Sequence, residues 1–151
     1  MKLHTLLGLM TIGIAVAACN KSYDTRPSLT LKSVNPSVVQ VNQPLSISLE
    51  FTDKQGDFSS IWVKKTRVNL QTTPTLRDTF PIPLSTSAPN ISKGTIDVNL
   101  EYNSYLISAS NPPTDGQGKP IPDTLIISLV LRDKAGNASD TVQTGKVVVL
   151  R

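Results

Sequence analysis

Histidine and cysteine are almost absent from this chain. There is one of each in 151 residues, at His4 and Cys19. Beyond Cys19 there is no imidazole and no thiol. That excludes a Ser-His-Asp triad, a Cys-His pair, a histidine-ligated zinc and a disulfide. Aromatic residues are 5% of the chain, too few for the stacked rings that single-stranded nucleic-acid binders use. The formal net charge is only +4 and is spread along the chain, so no nucleic-acid partner is expected. Helical periodicity is missing as well. After Ser28 no stretch carries an apolar stripe at helical spacing, and the chain holds 11 prolines.

The first thing present is an address. Met1-Lys2-Leu3-His4 is a short basic head, and Thr5 to Ala18 (TLLGLMTIGIAVAA) is an uncharged, largely apolar run. That run fits the roughly 7–15 residues of an export-signal core and falls short of the ~20 a spanning helix needs. It ends Val16-Ala17-Ala18-Cys19. This aliphatic, small, small, cysteine pattern resembles the lipobox of bacterial lipoproteins, whereas an ordinary Ala-x-Ala secretory site fits it less well. The resemblance implies removal of residues 1–18, a diacylglyceryl lipid on the Cys19 sulfur and acylation of the new amine with a palmitate-type chain. A thiolate is a strong nucleophile for that alkylation. Each buried methylene contributes ~0.8 kcal/mol, so two or three acyl chains make a durable anchor. Asn20 rather than Asp follows the cysteine, which in that family implies the outer membrane, its periplasmic or exposed face left open.

Residues 20–27 (NKSYDTRP) are polar and read as a tether, about 26 Å long if fully extended at ~3.3 Å per residue. Residues 28–151 read as strands. Leu45, Ile47, Leu49 and Phe51 alternate with Ser46, Ser48, Glu50 and Thr52, giving one dry face and one wet face. Thr95–Tyr102 and Leu125–Arg132 repeat the pattern, and 146–150 closes the chain. Further strands are expected at Ser28–Val34, Val38–Val41, Ile61–Leu70 and Thr79–Leu84. The alternation slips at Lys64-Lys65, which predicts a bulge or an edge strand protected by charge. Seven or eight short strands with Pro, Gly and Asn between them predict an all-β, antiparallel β-sandwich.

The stretch Leu131-Arg132-Asp133-Lys134-Ala135-Gly136-Asn137, with its Ser/Thr-rich return, resembles the closing hairpin of bacterial immunoglobulin-like domains. That resemblance places Trp62 in the core on the third strand. Two loops, Asp53-Lys54-Gln55-Gly56-Asp57 and Asp133 to Asn137, fall at the same end of such a sandwich. Asp53, Asp57, Asp133 and Asn137 are therefore candidate ligands for Ca²⁺, which takes six to eight oxygens. The other reading is that each Asp opens a turn and each Gly supplies a positive φ. Asp115-Gly116-Gln117-Gly118 reads as a turn, since a phosphate loop needs a strand before it and a helix after it. It lies in a long, proline-rich connection, 103–123. Glu50 and Glu101 sit on outward phases, which disfavours paired-acid glycoside hydrolysis. Lys64, Lys65 and Arg67 read as a solvated basic face. Tyr102 continues an inward phase, and Tyr105 is assigned to neither core nor surface.

Together these readings predict a lipid-anchored, non-enzymatic interaction or accessory module of the cell envelope, with a protein or glycan partner. The alternative is a glycan- or peptide-binding lipoprotein whose acidic loop end is ordered by calcium.

Overall fold

The computed structural model describes residues 25–69, 77–84, 91–107 and 114–151. The signal segment, Cys19 and the tether through Asp24 lie outside the described residues. The described residues form nine strands: β1 (Ser28–Asn35), β2 (Val38–Val39), β3 (Leu45–Thr52), β4 (Phe58–Arg67), β5 (Thr79–Pro83), β6 (Lys93–Leu100), β7 (Asp123–Asp133), β8 (Val142–Gln143) and β9 (Val147–Val149). Among the described residues the sole helical element is a π-helical turn at Tyr102–Leu106.

The strands form two sheets, β1-β3-β6 and β2-β9-β7-β4-β5, with β8 also paired to β7. They pack face to face as an all-β sandwich with the strand order of an immunoglobulin-like domain. All pairings are antiparallel except β2 with β9, because the chain crosses from one sheet to the other after Asn35. Alternation explains the core. Leu45, Ile47, Leu49, Ile61, Val63, Leu125, Ile127, Leu129 and Leu131 are all 0% exposed, and each comes from the inward phase of β3, β4 or β7. Tyr102 is buried as expected, and its hydroxyl donates to the Leu150 carbonyl at 2.6 Å. Tyr105 lies half-buried with its ring 4.9 Å from that of Phe80.

The strand positions agree with the alternation to within a few residues, but four expectations change. There are nine strands rather than seven or eight, because Val142–Gln143 is too short to show a period. No bulge occurs at Lys64-Lys65; β4 pairs with β7 without interruption from Ile61 to Arg67, and its irregularity lies between Phe58 and Ser60. β4 is not an edge, since β7 and β5 flank it. Lys65 and Arg67 therefore continue the inward phase of Ile61 and Val63, and only Lys64 is on the solvated face. By the same count Trp62 faces outward, half-buried on the outer face of the larger sheet rather than in the core.

Truncating a leucine at the centre of this sandwich leaves a cavity that the sheets cannot close. Leu49→Ala or Leu129→Ala is expected to lower unfolding stability by 2–5 kcal/mol in denaturant titrations. A loss below about 0.5 kcal/mol would mean that the strand phase is wrong.

Candidate functional site

The β4–β7 pair carries opposite chemistry at its two ends. Phe58 pairs with Asp133 at one end, and Arg67 pairs with Leu125, next to Asp123, at the other. At the first end the loops of Asp53 and Asp133 meet, with the Lys134 N–H donating to the Asp57 carbonyl at 2.9 Å. Asp53, Asp57 and Asp133 are thus brought together as expected. The Asp53 and Asp133 carboxylates are committed to the turns, whereas Asp57 Oδ1 is buried with no hydrogen-bond partner. Asp53 accepts from the Gln55 and Asp57 N–H groups at 3.2 and 3.1 Å. Asp133 accepts from the Asn137 N–H at 2.7 Å and from its side-chain amide at 2.6 Å.

The same turn occurs a third time. Asp115 accepts from the Gln117 and Lys119 N–H groups at 2.9 and 2.8 Å. In all three turns a glycine three residues on, Gly56, Gly118 or Gly136, has φ between 63° and 89° and donates to the Asp carbonyl. Asp115 does this in an exposed loop, so the Asp-x-x-Gly pattern is a turn in its own right. Among the described residues no group of three or more His, Cys, Asp or Glu is placed to hold a metal ion. Asp57 is the strained member. Desolvation, then the nearby Asp53 and Asp133 charges, push its carboxyl above the usual value.

The opposite end is cationic and buried. Arg67 pairs with Asp123 Oδ1, and Arg151 Nη2 reaches Asp123 Oδ2 at 2.7 Å. All three side chains are at most 6% exposed. Lys65 is 4% exposed, and its ammonium has no hydrogen-bond partner. Burial lowers its pKa to about 8, opposed by attraction to Asp78 and reinforced by repulsion from Arg151. Burial also lowers both guanidinium groups from their ordinary value.

A third feature lies on the outer face of the larger sheet. An open groove of about 370 Å³ is lined by Trp62, Lys64, Thr79, Ser128, Thr141 and Gln143, among others. The strands dictate it: Trp62 lies opposite Val130, and Lys64 lies opposite Ser128 on one side and Thr79 on the other. Gln143 on β8 donates to the Ser128 hydroxyl at 3.1 Å. One flank of the indole is taken by Arg132, whose guanidinium carbon is 5.0 Å from the ring centroid. The rest of the ring borders a surface with hydroxyl, amide and ammonium groups. Reading the sequence alone missed this groove. The available signal was the i, i+2 phase of Trp62 and Lys64 against Ile61 and Val63, but the residues from β5 and β8 become neighbours only through pairing.

No known protein family matches the chain, and no curated protein does. Among solved structures it is similar to a β-glucosidase from Listeria innocua in complex with gluconolactone. That match has 12% identity and a TM-score of 0.42, and it covers 83% of this chain and 16% of the enzyme. The chain therefore spans about a sixth of that protein's length.

The acidic end makes a pH-dependent prediction. A carboxyl whose pKa rises on folding destabilises the native state while ionised. That penalty is complete above the folded pKa and vanishes as pH falls below the unfolded one. Asp57→Asn is therefore expected to raise the melting temperature at pH 7, and the gain should close by about pH 3. A calcium-dependent loss of stability in this variant would instead mark Asp53, Asp57, Asp133 and Asn137 as a cation site.

Proposed function

We propose that this chain is a lipid-anchored protein of the bacterial outer membrane that acts as a non-enzymatic binding module. The lipobox residues Val16 to Cys19 support the anchor, and the covalent lipid on Cys19 is the group this reading requires. The path of the chain supports an orientation. Ser28 opens β1 opposite Thr52, one residue from Asp53, so the tether joins the sandwich at its acidic end. The cationic end then points away from the bilayer.

The state of the carboxylates supports binding over hydrolysis. Paired-acid catalysis needs one carboxyl kept protonated beside an ionised partner. Hydrogen bonding and charge attraction from Lys32, with a further pull from Lys93, hold Glu50 below the usual range. Glu101 is exposed, and the raised Asp57 carboxyl has beside it only Asp53 and Asp133, whose oxygens hold the N–H groups of their turns.

The Trp62 groove favours a saccharide as the molecule bound. An indole edged by short hydroxyls, an amide and an ammonium offers both an apolar platform and directional donors, which is how sugar rings are held. Its volume lies near the small end of ligand pockets, matching one or two sugar units. Calcium is not required by this reading.

Two measurements test the two halves separately. Cys19→Ser should leave the chain without bound lipid and with residues 1–18 still attached, as read by intact mass; normal removal of residues 1–18 in that variant would contradict the anchor. Trp62 is the chain's one tryptophan, so its fluorescence reports directly on the groove. Titration with a set of neutral and acidic hexasaccharides should shift its emission for at least one of them. Lys64→Ala should weaken that binding about tenfold, equivalent to ~1.4 kcal/mol. Unchanged emission across the whole set would rule out the saccharide while leaving the anchor untouched.

A further inference from the structure

We propose that the cationic end of the sandwich is a binding site for a small oxyanion, a phosphate or a carboxylate, held by Lys65 and Arg67 beside Arg151. Two cations, Arg67 and Arg151, converge there on a single buried carboxylate, Asp123, and Lys65 is buried two residues before Arg67 on the same face of β4. Asp123 is already shared between Arg67 and Arg151, so it leaves Lys65 without a counter-ion. The Lys65 ammonium and the Arg67 Nε and Nη1 atoms are buried with no hydrogen-bond partner. An ammonium and a guanidinium taken out of water in this way are strongly disfavoured unless an anion meets them.

Among the described residues no side chain brings that anion within hydrogen-bond reach of Lys65. Asp78 is the nearest other acid; its carbonyl accepts the Lys65 N–H at 2.8 Å, but its carboxylate attracts the ammonium from beyond hydrogen-bond reach. Besides Asp78, the connections that lead to this end, 68–78 and 101–122, hold Glu101, which is exposed, and Asp115, which its own turn uses. The acids of the opposite end lie a full strand length away along β4 and β7. An external oxyanion completes the set. Arg67 offers donors in the planar fork that suits a carboxylate or phosphate edge, and Lys65 adds a point charge from two residues away on the same face.

The site lies at the end of β4 and β7 opposite the Asp53 and Asp133 turns. It is separate from the Trp62 groove, which is on the other face of β4, and does not depend on the saccharide reading.

The test is thermal melting of the full mature domain at constant ionic strength, with chloride exchanged for inorganic phosphate or for acetate. Specific binding should raise the melting temperature by about 4 °C at an anion concentration some tenfold above its dissociation constant. The anion that gives the larger rise identifies phosphate or carboxylate as the preferred head. Lys65→Met should lose the anion-specific rise and Lys65→Arg should keep it. Equal rises in parent and Lys65→Met would reduce the effect to general salting-out and overturn the proposal. Should Lys65→Met fail to fold, the phosphorus-31 linewidth of phosphate decides with the parent protein alone. Broadening that acetate reverses supports the site, and an unchanged linewidth together with no melting shift in acetate refutes it.

Discussion

The antiparallel pairing of β4 with β7, unbroken from Ile61 to Arg67, is the constraint from which the other features follow. Its alternation sends Ile61, Val63, Leu125, Ile127, Leu129 and Leu131 into the core. Extended in one direction the same alternation buries Asp133; extended in the other it buries Lys65, Arg67 and Asp123. The opposite phase of the same strands puts Trp62, Lys64, Ser128 and Val130 on the outer surface. A shift of one residue would exchange the two sets, exposing the leucines and burying the groove. Apolar side chains fix that register, and the charged residues take the positions it leaves.

The two ends solve the problem of buried charge differently. At the acidic end the Asp53 and Asp133 carboxylates are satisfied locally, because each Asp-x-x-Gly turn supplies backbone N–H donors within four residues of its own Asp. At the cationic end no comparable local solution exists, since a peptide backbone offers carbonyls to a cation but no negative charge. There the partners come from distant parts of the chain: Arg67 from β4, Asp123 from β7 and Arg151 from beyond β9. Such a set links three strands of the sheet, but a buried ion network is weak support for stability compared with packed apolar side chains. The strand path separates the two, with the Asp53 and Asp133 turns at the end where β1 begins and the cations at the other.

Most of the architecture was legible in the chain, and the reason is physical. A half-buried strand has a two-residue period, and Leu45 to Phe51 shows it over a full element. The Asp-x-x-Gly turns were equally legible because their hydrogen bonds close within five residues. What could not be read was anything in which charge overrode the pattern. Lys65 and Arg67 look like solvent-facing residues because cations are rarely buried, so their inward phase was mistaken for a slip in the strand. Trp62 is the mirror case: the resemblance to immunoglobulin-like domains places it in the core, yet its phase points out. The groove around it joins residues from β4, β5, β7 and β8, and only the sheet order makes them neighbours.

The register of β4 can be tested directly by amine labelling read residue by residue in a mass spectrometer. Lys64 and Lys65 are adjacent in sequence but on opposite faces, one exposed and the other 4% exposed. If β4 runs unbroken, Lys64 labels freely in the folded protein. Lys65 should label at least about tenfold more slowly, through transient opening only, and the two rates should converge in denaturant. Equal labelling of both lysines in the native state would mean that the strand slips between them, and the buried cationic end would not exist.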